Sequence, residues 1–277
     1  MSAPFLRSLP SLSAPDAYSA IVAALRAGGC VFAEDEASLL LSAAATPAEL
    51  ATMVDRRVAG LPLEHVVGWA EFCGLRIVVE PGVFVPRRRT EFLARQAAEL
   101  IRPGAVVVDL CCGSGAVAAV LAASADGIDL HAADIDPAAV RCARSNLAAA
   151  GHVYQGDLFA PLPDDLRGRI DVLVANAPYV PTDEVSLLPA EARDHEPRVA
   201  LDGGRDGLDV LRRVAATAPR WLAPGGRLLV ESSARQAPDI VAAMSRAGLS
   251  SRLSTCDNLH ATVVVGTLPD GPALHDC

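Results

Sequence analysis

The pattern of apolar and polar positions changes character along the chain. Over the first sixty residues apolar positions recur at helical spacing, and Thr46, Pro47 and Glu49 form a helix start with a capping box. We predict three helices there, over residues 16–27, 34–45 and 46–58. From Pro62 onward Gly, Pro and β-branched residues replace Ala, and residues 72–79 are typical of two short strands around a glycine turn.

The rest of the chain alternates short apolar runs with longer amphipathic segments. The predicted strands span residues 105–110, 128–133, 152–155, 169–175 and 226–231. The predicted helices span residues 90–101, 115–124, 137–150, 208–221 and 236–247. Such alternation is typical of a parallel sheet with crossover helices. Two last apolar runs, residues 251–256 and 262–268, are too close for a helical crossover and predict an antiparallel hairpin at the sheet edge.

The predicted organisation has three parts: a small helical module over residues 1–61, a hairpin linker over 62–85, and an α/β domain over 86–277.

Composition and charge disfavour several classes of function. The 277 residues carry a net charge of −9, which disfavours nucleic-acid binding. The cysteines show neither a metal-binding spacing nor a disulfide pattern, and no segment resembles a signal peptide or a membrane span. We expect a cytoplasmic protein with no metal site and no membrane partner.

A glycine-rich loop follows the first strand of the predicted sheet. The segment 109–115 reads DLCCGSG, and Gly113 and Gly115 permit a tight turn and close backbone approach to a ligand. The third glycine of a dinucleotide fingerprint is missing, because Val117 and Ala118 occupy the positions where it would stand. A dinucleotide-dependent oxidoreductase is therefore disfavoured.

Carboxylates follow the next two predicted strands. Asp134 stands 19 residues beyond Gly115, where an acidic side chain can accept both ribose hydroxyls of a nucleotide. Asp136 is an alternative, but Asp136 and Pro137 also form a natural helix start. Asp157 follows the third strand and can accept from an amino group, or it can serve as a turn residue.

The fourth strand, residues 169–175, ends in Asn176-Ala177-Pro178-Tyr179. Ligands of open α/β sheets bind at the carboxyl edge of the strands, where these residues form a rigid, polar pocket. The tetrapeptide resembles the [N/D]-P-P-[Y/F] signature of methyltransferases that modify a planar nitrogen. In such a site, two acceptors on the N–H groups would hold the nitrogen in line with the methyl donor.

Taken together, these motifs resemble the HemK/PrmC-type protein N5-glutamine methyltransferases, which modify a Gln of peptide chain release factors. Further matching segments are 62–68 with Glu71 and Phe72, 84–87 with Thr90 and Glu91, and 196–197 with 200–208. The resemblance covers about residues 62–267. It implies a class I, Rossmann-like sheet that binds S-adenosylmethionine (SAM), mostly parallel with an antiparallel edge hairpin, plus a small N-terminal helical module.

The resemblance also implies roles for individual residues. The implied SAM-binding residues are Asp109, Cys111, Gly113, Gly115, Asp134, Asp157 and Asn176. The implied acceptor site consists of Asn176, Ala177, Pro178 and Tyr179: the Asn176 side-chain oxygen and the Ala177 carbonyl accept the N–H groups, Pro178 fixes the turn, and Tyr179 stacks on the amide. The implied partner is a protein with an exposed Gln, such as a release factor.

The chain departs from the family pattern at three positions. Ala177 replaces a proline, Cys111 replaces the first glycine of the cofactor loop, and the Arg-Pro-[Glu/Asp]-Thr-Glu motif has a base, Arg89, in place of its acid. Two alternatives remain open: an adenine-N6 methyltransferase acting on nucleic acid, and a SAM-binding paralogue without catalysis.

Overall fold

The computed structural model describes residues 14–270, which fall into two compact units. The first comprises residues 14–69 together with Pro189–His195, and the second comprises Ala70–Leu188 and residues 196–270. Within residues 14–270, none of the helices combines the length and apolarity needed to cross a membrane.

The first unit is helical. Its helices are α1 (Ala14–Ala27), α2 (Ala33–Ala43), α3 (Pro47–Val58), the short α4 (Leu63–Val67) and α8 (Ala190–His195). The predicted start of α3 is confirmed, because the Thr46 side chain accepts from the Glu49 N–H at 3.2 Å. Ile21, Leu25, Leu40 and Val54 are fully buried in the core of this unit.

A buried arginine joins three segments of this helical unit. Arg57 donates to both carboxylate oxygens of Glu36, at 2.6 and 3.1 Å, and pairs with Glu191 of α8 at 2.6 Å. Both Arg57 and Glu36 are buried, and a buried charge needs such pairing to offset its desolvation.

Strand β1 (Trp69–Phe72) and strand β2 (Leu75–Val78) form the predicted hairpin. Cys73 and Gly74 between them both have positive φ, 50° and 79°, the signature of a tight two-residue hairpin turn. The structure differs from the prediction in two details: the short helix α4 precedes the hairpin, and the first strand lies mostly before the predicted range of residues 72–79. The five residues of α4 are too few for helical periodicity to stand out from a strand pattern.

The second unit is built on a seven-stranded sheet in the order β5-β4-β3-β6-β7-β9-β8. The strands are β3 (Val106–Leu110), β4 (Asp129–Asp134), β5 (His152–Gln155), β6 (Ile170–Ala175), β7 (Leu222–Ser232), β8 (Ser250–Cys256) and β9 (Ala261–Thr267). The first five are mutually parallel, whereas β9 runs antiparallel to β7 and to β8. The predicted mostly parallel sheet with an antiparallel edge hairpin is confirmed.

Helices cover both faces of the sheet. They are α5 (Thr90–Ala98), α6 (Ala116–Ser124), α7 (Pro137–Leu147), α9 (Asp209–Thr217) and α10 (Ala237–Arg246). Val107 of β3 packs in the core formed with α5, α6 and α7, whereas its neighbour Val108 packs in the core formed with α9 and α10. Apolar residues on both faces explain the unbroken hydrophobic runs of the central strands. Several helices are a few residues shorter than predicted.

Candidate functional site

Strand register brings the polar strand ends to one edge of the sheet. Leu110 of β3 pairs with Ala133 of β4 and with Ala175 of β6, and Ala175 pairs with Val230 of β7. The next residue of each strand therefore stands in the same row. These residues are Cys111, Asp134, Asn176 and Glu231. From β3 the sheet extends through β4 and β5 on one side and through β6 and β7 on the other. The topological switch point, where open α/β sheets bind ligands, therefore lies between β3 and β6 at this edge.

The glycine loop between β3 and α6 has the conformation that its sequence requires. Gly113 and Gly115 have positive φ, 55° and 78°. A Cβ on Gly115 would stand 3.1 Å from Ala143 Cβ, which explains glycine there by close packing. A Cβ on Gly113 would meet nothing within 4 Å, so the backbone at Gly113 is open to a ligand. Cys111, where the family has glycine, also has positive φ, 56°.

Asp109, near the end of β3, stabilises the start of the helix that follows this loop. Its side chain is buried and accepts from the Ala118 N–H of α6 at 3.1 Å. Burial raises the pKa of Asp109 to about 7. The structure thus shows Asp109 holding the first turn of the helix that follows the loop, and a direct contact of Asp109 with a cofactor stays a prediction.

Asp134 connects the two neighbouring loops. One carboxylate oxygen accepts from the Gly113 N–H and the other from the Asp136 N–H, both at 2.9 Å. Burial raises the pKa of Asp134. The Ile135 N–H also bonds to this side chain, and a carboxylate has about four lone-pair sites, so Asp134 can still accept from a hydroxyl group. Asp136 instead caps α7, accepting from the Ala138 N–H at 2.8 Å, which confirms the helix start predicted for it.

Asp157 is exposed after β5, and Arg213 of α9 donates to it at 2.6 Å. No sequence motif predicts Arg213 as the partner of Asp157. One oxygen of Asp157 remains available to an amino group, and its cofactor contact stays a prediction.

Asn176 and Ala177 offer two oxygen acceptors at the end of β6. Asn176 Nδ2 donates to Thr90 Oγ1 at 3.3 Å, which directs Oδ1 to the opposite side of the amide. Within residues 14–270 no hydrogen bond to Asn176 Oδ1 or to the Ala177 carbonyl is present, although the Ala177 side chain is buried. Such oxygens are suited to accept N–H groups from a substrate.

A glycine turn braces this loop through the backbone. The Val180 N–H donates to the Leu201 carbonyl at 3.0 Å, and the Gly203 N–H donates to the Val180 carbonyl at 2.8 Å. A Cβ on Gly207 would stand 2.2 Å from the Tyr179 carbonyl oxygen, so no other residue fits. Gln236 donates to that same carbonyl at 2.9 Å. These contacts fix the position of Tyr179.

Tyr179 belongs to a polar cluster around the buried carboxylate of Glu231. Its hydroxyl donates to Glu231 Oε1 at 3.1 Å, and Arg89 Nε donates to the same oxygen at 3.2 Å. Burial, followed by the charge of Glu231, raises the pKa of Tyr179 to about 12, so the phenol is neutral at physiological pH. Glu231 is 1% exposed, and its Oε2 has no partner within the described part of the chain.

Sequence reasoning missed two residues of this site, Thr90 and Glu231. Glu231 ends a predicted strand, and the criterion that selected Asp134 and Asn176, a polar residue at a strand end, would have selected it too. Thr90 was noticed only as part of a motif, since nothing in the sequence joins it to Asn176, which lies 86 positions away.

Comparison with known proteins agrees with this geometry. The family model described as "Methyltransferase small domain" matches residues 74–192. A release factor glutamine methyltransferase of Geobacter sulfurreducens is 38% identical over 226 residues, which cover 79% of this chain and 78% of that protein. A 4-amino-L-phenylalanine/4-methylamino-L-phenylalanine methyltransferase of Streptomyces pristinaespiralis is 36% identical over 260 residues, 90% of this chain and 88% of that protein.

Among solved structures, a methyltransferase from Pyrococcus furiosus has a TM-score of 0.54 at 16% identity, and the match covers 71% of this chain and 90% of that one. Fold and strand-end residues together define a SAM-dependent methyltransferase of the Rossmann-like class. Within that class, the chain belongs to the release factor glutamine methyltransferase family.

The residues present fit SAM, the methyl donor of this class. Gly113 leaves its backbone open, and the Asp134 carboxylate next to it keeps lone pairs for a ribose. The resemblance to this family, inferred from the motifs alone, is confirmed.

Proposed function

We propose that this protein transfers a methyl group from SAM to the side-chain amide nitrogen of a glutamine in a protein substrate, a peptide chain release factor. Membership of the family supports the reaction and the substrate. The observation that carries the proposal is the pair of free acceptors at the end of β6, Asn176 Oδ1 and the Ala177 carbonyl. A primary amide has two N–H groups, and the pair matches them.

In this reaction the protein acts by positioning. SAM supplies an electrophilic methyl group when it is bound. An amide nitrogen is a weak nucleophile, because its lone pair is delocalised into the carbonyl. Asn176 Oδ1 and the Ala177 carbonyl hold the two N–H groups, orient the nitrogen and stabilise the positive charge that develops on it. Tyr179 forms a wall of the site, and Pro178 with the glycine turn keeps that wall in place.

Three loops would hold the cofactor. We assign the methionine part to the backbone of residues 111–115, the ribose to Asp134, and the adenine amino group to Asp157. Asp109 acts through the loop that it supports. Cys111 has the left-handed φ, 56°, that a glycine adopts readily, which supports the assignment of its backbone to the cofactor loop.

Asn176→Ala tests the acceptor assignment. The variant should lose methyl transfer from labelled SAM onto purified release factor, while calorimetry shows unchanged SAM affinity. Asn258→Ala, an exposed asparagine on the turn between β8 and β9, is the matched control and should retain full turnover. Full turnover by Asn176→Ala would show that the assignment is wrong.

The Streptomyces pristinaespiralis relative supports a second candidate, N-methylation of an arylamine on a free amino acid. Its match extends over 260 residues, more of this chain than the 226 residues matched by the Geobacter sulfurreducens relative. Incubation with release factor and with 4-amino-L-phenylalanine in parallel, followed by mass spectrometry, separates the two. Nucleic acid is not favoured as the acceptor, given the net charge of −9.

We further propose that the helical unit docks the protein substrate in the cytoplasm. Val31 and Phe32, adjacent apolar residues between α1 and α2, are 83% and 68% exposed, and contiguous exposed apolar surface marks interaction sites. Phe32→Asp should lower kcat/KM for release factor but leave it unchanged for a short glutamine peptide. The six cysteines within residues 14–270 are free thiols, consistent with a reducing compartment.

A further inference from the structure

Three consecutive arginines precede α5, and the structure gives each a different environment. Arg87 pairs with the buried carboxylate of Glu196 at 2.5 Å and lies 4.7 Å from the Phe84 ring centroid. Arg88 is exposed. Arg89 turns toward the acceptor site, where its guanidinium carbon lies 5.8 Å from the Tyr179 ring centroid. The three cations therefore do not form one surface patch.

A buried carboxylate holds Arg89 in place. Arg89 Nε donates to Glu231 Oε1 at 3.2 Å, and Glu231 is 1% exposed. The Arg89 side chain itself is 45% exposed, so one end of the guanidinium is anchored while the rest reaches solvent. A guanidinium has five N–H donors in a fixed fork, and Glu231 with the nearby Tyr179 hydroxyl engages only part of them.

The register of the sheet places this anchor beside the acceptor residues. Ala175 pairs with Val230, so Asn176 and Glu231 are the next residues of two adjacent parallel strands. Both contact the start of α5, Asn176 through Thr90 and Glu231 through Arg89. A substrate nitrogen held by Asn176 would therefore lie near the exposed donors of Arg89.

We propose that Arg89 selects acceptors that carry a carboxylate within reach of its guanidinium when the nitrogen to be methylated is held by Asn176. A guanidinium binds carboxylate through paired N–H donors, and its prior fixation by Glu231 reduces the conformational entropy lost on binding. The inference rests on the proposed function, since it concerns the same acceptor site. Two sources could supply the group: an acidic side chain beside the target glutamine, or the α-carboxylate of a free amino acid.

The test compares acceptors that differ only in that charge. A protein substrate is represented by acetylated peptide amides with Glu, Gln or Lys directly after the target glutamine. A free amino acid is represented by 4-amino-L-phenylalanine, which is compared with its α-carboxamide, the derivative without the carboxylate. Each is measured with wild type, Arg89→Gln, Arg89→Glu and Arg88→Gln. Arg88 is the matched control because it is the exposed neighbour in the sequence.

In one of the two acceptor sets, the peptides or the free amino acid pair, wild type should favour the member with the carboxylate by roughly fivefold to tenfold in kcat/KM. This preference is the size expected for a partly exposed charge-assisted hydrogen bond. Arg89→Gln should abolish that preference, Arg89→Glu should shift it toward the Lys peptide, and Arg88→Gln should keep it. Unchanged SAM affinity shows that each variant is folded. The set that responds identifies the source of the carboxylate.

Binding separates this inference from the proposed reaction. Calorimetry on the S-adenosylhomocysteine complex measures the affinity of the same probes without turnover. Absence of methyl transfer to every acceptor contradicts the proposed function, whereas the ratio of affinities still reports on Arg89. Equal affinities for charged and neutral probes, a preference that persists in Arg89→Gln, or no binding of any carboxylate probe by wild type would overturn the role of Arg89.

Discussion

Thr90 Oγ1 accepts a hydrogen bond from Asn176 Nδ2 at 3.3 Å, and this contact leaves Asn176 Oδ1 on the opposite side of the amide. The two ends of an amide have nearly the same shape, so a partner is needed to fix the oxygen toward the substrate. In the proposed reaction Thr90 is therefore a positioning residue, because it would act on the substrate only through Asn176.

Removing the Thr90 hydroxyl should impair turnover without affecting the cofactor. Thr90→Val keeps the shape but loses the acceptor, and we expect kcat to fall roughly tenfold, the equivalent of one hydrogen bond. Thr90→Ser should restore kcat to near the wild-type value. Steady-state kinetics with SAM calorimetry checks this. If Ser and Val reduce kcat equally, the hydroxyl has no orienting role.

Cys111 stores backbone strain in the cofactor loop. Its φ of 56° lies in the left-handed region, which costs a non-glycine residue about 1–2 kcal/mol. Cys111→Gly should raise the free energy of unfolding by about 0.5–1 kcal/mol, since the greater freedom of glycine in the unfolded chain offsets part of the relief. Urea denaturation measures the change. Cys112→Gly is the matched control, and it should destabilise because Cys112 is buried without a positive φ.

Asp109 gives stability a pH dependence. The pKa of the Asp109 carboxyl is about 7 in the folded protein, against an ordinary value near 3.8 that we take for the unfolded chain. The folded state therefore binds the carboxyl proton more tightly than the unfolded chain does. Its contribution to stability is therefore full below about pH 4 and is lost as pH rises to about 7.

Asp109→Asn should remove this dependence, because the amide cannot ionise yet keeps an oxygen for the Ala118 N–H. We expect the variant to gain on the order of 1–3 kcal/mol relative to wild type between pH 4 and pH 8. Urea denaturation at several pH values tests it. Asp171→Asn is the control, since Asp171 is exposed and accepts from the Val106 N–H at 2.8 Å. A pH-independent difference for Asp109→Asn would contradict the prediction.

Gly207 is required by close contact as well as by conformation. Its φ is 78°, and an added Cβ would stand 2.2 Å from the Tyr179 carbonyl oxygen. Gly207→Ala should therefore displace the loop that carries Tyr179, reducing kcat by roughly a hundredfold or more. Gly168→Ala isolates the conformational cost, because Gly168 has φ 71° with no atom within 4 Å of the added Cβ. It should lose about 1 kcal/mol of stability and keep its kcat.

Much of the fold follows from the sequence, because parallel strands buried on both faces leave clear apolar runs. Asp134 and Asn176 were predicted by the same logic, since polar residues that end such strands must meet at one edge. The contacts that orient them were not predictable. Thr90 meets Asn176 across 86 positions and Arg89 meets Glu231 across 142, and local periodicity carries no information about such pairs. The arginine beside Asp157 escaped prediction for the same reason.

The helical unit draws one of its helices from far along the chain. Pro189–His195 belongs to it, and Glu191 in that segment pairs with Arg57 of α3. A fragment that ends at Trp69 would leave Arg57 without this partner, and a chimera that exchanges only the amino-terminal region would match Arg57 with a foreign segment. Any exchange of the helical unit between relatives must therefore carry both stretches together, which ties the evolution of this unit to that of a segment about ten residues beyond Tyr179.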